Sequence, residues 1–336
     1  MASPQARHSL FGIVSQAVKQ HGNRVALRSP FQTGPLETLT YSELRSNALK
    51  LATRLVNRTM EVQNENPGGS SSSSRPVTGV ISDLPNTAEN LLLQIACSRL
   101  GIAYCTVKDE AMFKAHQQLE KKGVIYGHSI ASDTSSWLNT LPATGGSSLA
   151  GCTIVDCLFD DLSGESEVGG DVSTPPPQSN QDAPHAFFNT ATKPLLNSEI
   201  ASLGEDASKV LHLTSDDKVC VSITLCHPFG IASGVSSVFH SGATLVLPAV
   251  GGIRGCGDPK ERAEACLKVL EEEGCSVLFS DAPIMKQLQQ NTPVQKLANG
   301  VGKLRTGVVK TGSGSDFLED KMMFGNVEMW TMGKKA

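Results

Sequence analysis

Two short segments contain residues whose types and spacing could support chemistry. In the first, Cys226 lies next to His227. A thiol beside an imidazole can act as a nucleophile with its base, although a buried thiol and a histidine at a strand end fit the same pattern. In the second, Gly312-Ser313-Gly314 forms a turn that could face a ligand or simply connect two elements. The sequence contains no Ser/His/Asp triad, metal-ligand cluster or Walker A loop, so we predict no catalytic residue and no metal site.

The cysteine content and the first residues bear on the cellular compartment. The chain has nine cysteines, an odd number with no C-x-x-C pair and no signal peptide before them. Such usage is typical of reduced, mostly buried thiols in an intracellular protein. The first 36 residues contain no Asp or Glu, as in a mitochondrial transit peptide, but apolar residues after Ser9 recur at helical spacing and favour a folded helix. We expect a cytoplasmic location, with the mitochondrion as the alternative.

The overall composition excludes two classes of protein. The 336 residues include 29 Lys and Arg against 33 Asp and Glu, so no broad basic surface is available for nucleic acid. No apolar run approaches the roughly 18–20 residues that a membrane-spanning helix needs. The 31 glycines and 17 prolines fit a loop-rich α/β protein better than a helical bundle. We therefore predict a globular protein without nucleic-acid partners or a membrane span.

Local patterns in the first half of the chain predict a strand–helix–strand unit. Thr40 and Glu43 form a capping box at the start of the clearest helix, along which apolar residues recur at helical spacing. Further on, a buried strand at Val77–Ile81 precedes a helix that ends at Gly101, and a second strand follows at Ala103–Val107. Strand, helix and strand with short connections imply a parallel sheet.

The second half repeats this alternation. Strands are predicted at Ala186–Asn189, Val219–Ile223, Thr244–Leu247, Ser276–Ser280 and Gly307–Lys310, and helices at Ile200–Leu211, Gly230–Ser241 and after Asp258-Pro259. The predicted fold is α/β, with largely parallel, packed β-sheets flanked by helices. We predict a first subdomain at 1–162 with a disordered insertion at 64–75, a Pro-rich linker or loop at 163–185, and a second subdomain at 186–336.

Four segments, Leu39–Leu44, Asp83–Tyr104, Leu225–Leu247 and Lys310–Gly314, carry a resemblance to a known family. In order and spacing they resemble the large N-terminal domain of the acyl-adenylate-forming enzymes, the AMP-binding superfamily that includes acyl-CoA synthetases. The resemblance implies that fold, and an activity in which ATP activates a carboxylic acid as an acyl adenylate. It also implies an acyl pocket near His227 and an adenine-facing turn at Gly312, Ser313 and Gly314.

The counterpart of the family's phosphate loop departs from the family pattern. Thr190, Thr192 and Lys193 match it and are the remnant phosphate-binding residues that the resemblance implies. Every glycine of the loop and its second lysine are missing. Without glycine the backbone cannot approach a phosphate as closely or adopt positive φ freely. We therefore expect weak binding of a triphosphate at this loop.

The counterpart of the family's adenine and magnesium motif is Met329–Lys334. Trp330 could stack on adenine or pack in the protein. Lys334 stands near the position of the family's magnesium-binding glutamate, and a cation cannot ligate Mg²⁺. Family members continue into a C-terminal domain with the catalytic lysine, whereas this sequence ends at Ala336, so we expect that domain to be absent.

These departures lead to three hypotheses. The first is a catalytically impaired relative that serves as a binding, scaffolding or complex-subunit pseudoenzyme. The second is an acyl-CoA synthetase or ligase, or a fragment of one, which would use ATP, Mg²⁺ and CoA. The third is a module that still binds an acyl or nucleotide ligand. A protein partner or a larger complex is compatible with each of them.

Overall fold

The computed structural model describes residues 8–65, 79–107, 109–121, 128–131, 138, 159, 184–187, 194–248, 257–293, 295 and 301–334. The helices are α1 (Leu10–His21), α2 (Tyr41–Glu65), α3 (Ala88–Leu100), α4 (Glu110–Lys121), α5 (Asn197–Val210), α6 (Ser237–Ser241), α7 (Pro259–Glu272) and α8 (Ala282–Asn291), with a π-helix at Phe229–Ser236. The strands are β1 (Val25–Arg28), β2 (Thr38–Thr40), β3 (Gly79–Ser82), β4 (Ala103–Thr106), β5 (His128–Ala131), β6 (Pro184–Phe187), β7 (Leu195–Leu196), β8 (Lys218–Val221), β9 (Thr244–Val246), β10 (Val277–Asp281), β11 (Thr306–Lys310), β12 (Asp316–Phe324) and β13 (Val327–Gly333). In the described part of the chain, no helix is both long and apolar enough to cross a bilayer.

The strands form two sheets, and most of their pairings are parallel. The large sheet has the order β12-β13-β11-β10-β8-β9-β1-β2, and only its two terminal pairs, β12/β13 and β1/β2, are antiparallel. The small sheet has the order β5-β3-β4-β6-β7, with a single antiparallel pair, β6/β7. The prediction of largely parallel sheets with flanking helices is therefore confirmed.

Each sheet contains strands from both predicted subdomains. Strands β1 and β2, from the first predicted subdomain, join the large sheet, and β7, from the second, joins the small sheet. The predicted linker lies outside the described residues except for 184–185, which belong to β6. Of the predicted insertion at 64–75, residues 64–65 form the end of α2 and the remainder lies outside the described residues. The division at 162 and 186 stays a prediction.

Side-chain caps explain where the helices begin. The Ser9 hydroxyl accepts a hydrogen bond from the Gly12 amide at 3.1 Å, which starts α1. At the start of α2, the Glu43 carboxylate accepts from the Thr40 amide at 2.8 Å and the Thr40 hydroxyl accepts from the Glu43 amide at 3.2 Å. This is the predicted capping box. Asp258 caps α7 through the amides of its first turn, as its sequence position before proline predicts.

The large sheet buries both of its faces, which fixes the direction of its side chains. Val308 of β11 belongs to the core that packs against α1, α5 and the π-helix, whereas its neighbour Val309 belongs to the core under α7 and α8. Alternate residues of a strand point to opposite faces. Because both faces of the sheet are covered, a ligand can approach it at the ends of its strands.

One predicted helix has an unexpected form. The segment predicted as a helix at Gly230–Ser241 is a buried π-helix that continues into α6. A Cβ atom on Gly204 of α5 would lie 2.5 Å from the Ser236 Cβ, so the two helices are in direct backbone contact. Small residues at this contact allow that approach.

The hairpin of β12 and β13 was not predicted. Its two strands are joined at Gly325-Asn326, with Gly325 at φ 60°. A Gly-Asn pair between two apolar runs is a recognised hairpin signal, so the sequence does contain the information.

Candidate functional site

The candidate site is the edge of the large sheet at which its parallel strands end. Strands β8, β10, β11 and β13 run in the same direction, so the residues that follow them meet at one edge. In open α/β sheets, ligands bind at this carboxyl edge. The fold brings His227, the turn Gly312–Gly314 and Lys334 to this edge, and it adds Lys310, to which the sequence analysis assigned no role.

The turn after β11 packs against the residues after β13. The Thr311 amide donates to the Met332 carbonyl at 3.0 Å. Gly314 has φ +91°, and a Cβ atom there would lie 3.0 Å from both the Gly333 carbonyl oxygen and the Lys334 Cα. Only glycine fits this position without strain. By contrast, a Cβ atom on Gly312 would meet no atom within 4 Å, so this part of the turn is open.

Lys310 ends β11 and turns back over the site. Its ammonium group donates to the Gly314 carbonyl and lies over the Phe229 ring, 5.7 Å from the ring centroid. Burial lowers the pKa of Lys310, and the Asp316 carboxylate opposes that shift. In the ladder, Lys310 is paired with Asp281 of β10. The Asp281 carboxylate, however, is bonded to Arg262 and to the Ile284 amide.

His227 lies just before the π-helix, and the backbone fixes its ring. Its Nδ1 atom accepts from the Phe229 amide at 3.1 Å, so the neutral ring carries its proton on Nε2. Burial and then the Lys310 charge lower the pKa of His227, while Asp281 acts in the opposite direction. His227 is therefore a neutral N–H donor near pH 7. Cys226 is half-buried beside it, and none of the six cysteines in the described residues forms a disulfide.

The segment 222–228, which carries His227, is held by partners that the sequence analysis did not identify. Arg262 is buried and donates to the Ser222 carbonyl at 2.7 Å. It also forms an ion pair with Asp281 at 3.1 Å. The Leu225 amide donates to the Asn86 side chain at 3.0 Å. Asn86 lies in a motif segment, but its spacing gives no sign of this partner 139 residues away.

A buried polar network connects the same segment to the small sheet. The Gln94 amide group donates to the Leu225 carbonyl at 3.1 Å and to the Asn90 side chain at 2.9 Å. The Tyr104 hydroxyl donates to Asn90 at 3.0 Å, and His185 Nε2 donates to the Gln94 side-chain oxygen at 3.1 Å. Burial lowers the pKa of His185 to about 4, so its ring is neutral. These buried hydrogen bonds hold Leu225 and the small sheet in one relative arrangement, although the buried His185 Nδ1 atom has no hydrogen-bond partner among the described residues.

Of the remaining predicted site residues, the structure describes Trp330. Trp330 is half-buried and perpendicular to Phe317, with a centroid distance of 6.0 Å, and the Lys321 ammonium lies 4.2 Å from its ring centroid. Both contacts come from β12, so this ring packs on the hairpin, and its role in nucleotide binding stays a prediction. Thr190, Thr192 and Lys193 lie outside the described residues. Within the described ranges, no group of three or more His, Cys, Asp and Glu side chains could hold a metal ion.

Comparisons with solved structures show which known fold this chain has. No family model and no curated protein matches the sequence. Among solved structures, the chain is similar to ATP-bound MatB from Rhodopseudomonas palustris, with 15% identity, a TM-score of 0.65, and coverage of 91% of this chain and 55% of that one. It is similar to a Mycobacterium tuberculosis fatty acyl CoA synthetase with 13% identity, a TM-score of 0.66 and the same coverage.

A third structure localises the match. The N-terminal domain of FACL13 from Mycobacterium tuberculosis has 12% identity and a TM-score of 0.68, with 97% of this chain and 76% of that one covered. The chain has the fold of the N-terminal domain of adenylate-forming ligases. It spans about half the length of the first two structures. This adenylate-forming fold is the fold that the resemblance implied, and its carboxyl edge carries the cluster described above.

Proposed function

We propose that the chain is a catalytically impaired protein of the adenylate-forming fold, with a binding, scaffolding or complex-subunit role. The observation that carries the proposal is the placement of Lys334 directly against Gly314, with Lys310 bonded to the same glycine. Forming an adenylate displaces pyrophosphate from ATP, and the phosphates need Mg²⁺ to neutralise their charge. The Lys310 ammonium group therefore stands at the edge where that metal would be needed, and Lys334 rather than a carboxylate follows β13 there.

The residues of this edge do not fit Mg²⁺. Mg²⁺ is held by carboxylate and other oxygen ligands, and an ammonium group cannot serve as one. Asp281 is the carboxylate at the end of β10, and Arg262 and the first turn of α8 already engage both of its oxygens. Asp316 is exposed on β12 and acts electrostatically on Lys310. The glycine-free sequence at Thr190–Lys193 supports the same conclusion.

The test is ATP–pyrophosphate exchange by the purified chain with a panel of fatty and aromatic acids. We expect no acid-dependent exchange at any concentration of Mg²⁺, because in the described part of this edge Asp281 is engaged by Arg262 and the Lys310 ammonium group lies where the metal would be needed. Near-UV circular dichroism establishes that the sample is folded, and a known acyl-CoA synthetase in the same buffer shows that the assay works. Exchange that depends on both the acid and Mg²⁺ would contradict the proposal.

A ligase activity is the second candidate. It is supported by the similarity to a fatty acyl CoA synthetase and to ATP-bound MatB at TM-scores of 0.65 and above. In this case ATP, Mg²⁺ and CoA would be its cofactors. Acid-dependent release of AMP, with the acyl group trapped by hydroxylamine, would support the ligase, whereas AMP release without an acid would indicate simple hydrolysis.

A further inference from the structure

Three buried cysteines meet in the core under α7. Cys220 lies on β8, Cys266 on α7 and Cys275 just before β10, and none of the three side chains reaches solvent. The Sγ atoms of Cys220 and Cys266 are 4.0 Å apart, and Cys220 also interacts with Cys275. All three are free thiols, and we call them the cysteine cluster. The fold thus brings two thiols from positions 46 residues apart almost into contact.

Among the bonds that the cysteine cluster could form, the geometry favours the one between Cys220 and Cys266. A disulfide bond is about 2.05 Å long, so these two Sγ atoms must approach by about 2 Å, which is within reach of side-chain rotation. The Cys275 thiol instead donates to the Val269 carbonyl at 3.7 Å, and a bond to either neighbour would break that contact. We therefore expect oxidation to join Cys220 to Cys266.

The cysteine cluster lies beside the buried arginine that holds segment 222–228. Cys266 follows Arg262 by four residues on α7, so both side chains lie on one face of the helix. Cys220 precedes Ser222 by two residues at the end of β8. A bond between Cys220 and Cys266 would therefore join α7 to β8 about one helical turn from the hydrogen bond that Arg262 donates to the Ser222 carbonyl.

We propose that Cys220 and Cys266 form a redox-sensitive bond, which a small peroxide closes and a thiol reductant opens. In the first step the thiolate of one cysteine attacks a peroxide oxygen, the O–O bond breaks, and the leaving hydroxide takes up a proton, giving a sulfenic acid and water. In the second step the other sulfur atom attacks the sulfenic sulfur, and the displaced hydroxide leaves as water with the thiol proton. The sulfur atoms lose two electrons in total, which reduce the peroxide to water. The closed bond holds the backbone that leads to His227.

Burial slows this reaction without preventing it. Burial and the two neighbouring thiols raise the pKa of Cys220 well above its usual value. Because the thiolate is the reactive form, the closed core reacts slowly, and transient opening of α7 from β8 admits the peroxide. The bond therefore responds to sustained oxidation, whereas a brief exposure leaves the thiols reduced.

The experiment exposes the full chain to hydrogen peroxide for several hours and removes the excess with catalase. Disulfides are then mapped by mass spectrometry of a digest prepared without reductant. We expect one main new link, between the peptides that contain Cys220 and Cys266, and its loss in dithiothreitol. The urea midpoint should rise by about 1 M, because the link closes a long loop and restricts the unfolded chain. Hydrogen exchange in α7 and in segment 222–228 should slow about tenfold, because the link prevents α7 from opening.

Matched variants separate this bond from general oxidation. Cys266→Ala and Cys275→Ala each remove a buried thiol from the same core, but only Cys266→Ala removes a member of the expected bond. After peroxide treatment, Cys275→Ala should still gain about 1 M in its urea midpoint over its reduced form, whereas Cys266→Ala should gain less than about 0.2 M. If Cys266→Ala fails to fold, Cys266→Val fills more of the space and tests the same loss.

Several results would overturn the inference. These are thiols that stay reduced after sustained treatment, a main link to Cys275 or to a cysteine outside the cysteine cluster, oxidation that dithiothreitol does not reverse, or an equal gain in Cys266→Ala. The redox-sensitive bond goes beyond the proposed function and does not depend on it. Failure of the bond leaves the expected lack of pyrophosphate exchange unchanged, and Mg²⁺-dependent exchange would leave the bond unchanged.

Discussion

Replacing Arg262 with methionine would remove the buried cation that holds the segment carrying His227. The Arg262 side chain is 7% exposed and that of Asp281 is 22% exposed. Breaking a buried ion pair from one side costs about 3–5 kcal/mol, because the remaining charge stays unpaired. Asp281 keeps some solvent and the Ile284 amide at 3.0 Å, which favours the lower end of that range. The Ser222 carbonyl also loses its hydrogen-bond donor. We therefore expect the free energy of unfolding to fall by about 3 kcal/mol.

Urea unfolding followed by circular dichroism measures this loss. With a denaturant slope of about 3 kcal/mol/M, the midpoint should fall by about 1 M. The lysine of Arg262→Lys can bond either Ser222 or Asp281 but lacks the planar guanidinium that reaches both. Its urea midpoint should therefore lie between those of the wild type and Arg262→Met. The matched control is Lys260→Met on the exposed side of α7, with an effect within about 0.5 kcal/mol. A loss below about 1 kcal/mol for Arg262→Met, or an equal loss in the control, would refute the reasoning.

Two further predictions concern α5 and the buried network. Alanine normally stabilises a helix relative to glycine, but in Gly204→Ala the new Cβ would lie 2.9 Å from the Ser236 carbonyl carbon. We therefore expect the free energy of unfolding, measured by urea denaturation, to fall by about 1–3 kcal/mol. Ser202→Ala, exposed on the same helix, is its control, and any stabilisation by Gly204→Ala would contradict the predicted close contact. The pKa of His185 is about 4 in the folded chain against 6.5 in the unfolded chain, so the unfolded chain takes up the proton first and stability falls by about 3 kcal/mol as pH drops from 6.5 to 4. His185→Gln keeps the donor to Gln94 without titrating, and pH profiles parallel to the wild type would show that His185 does not cause the loss.

Local signals account for what the sequence could predict. Ser9, the Thr40–Glu43 capping box and Asp258 each act within three residues, so their patterns mark helix starts directly. The alternation of strands and helices implied parallel sheets in the same way. The resemblance also implied a ligand role for His227 and for Gly312–Gly314; the fold brings both to one edge, and the role itself stays a prediction.

Contacts between distant segments account for what it could not predict. The hydrogen bond between Gln94 and Leu225 joins residues that are 131 positions apart in the sequence, and the bond between Asn86 and Leu225 joins residues 139 positions apart. No spacing rule relates such positions, because they meet only after both sheets have formed. The same holds for Lys310, whose ammonium group reaches the Phe229 ring only in the folded chain. The contacts of Trp330 with β12 required a hairpin that the sequence analysis did not predict.

The hydrogen bonds that hold the backbone of segment 222–228 affect how a ligand would bind at this edge. Arg262, Asn86 and Gln94 come from separate parts of the chain and hold its backbone at Ser222 and Leu225. A ligand that approaches this edge therefore meets a backbone that is already ordered. Binding then avoids much of the entropic penalty of arranging a loop, about 0.5–1.5 kcal/mol for each immobilised side chain. For a ligand that contacts this segment, preorganisation would therefore lower the cost of binding.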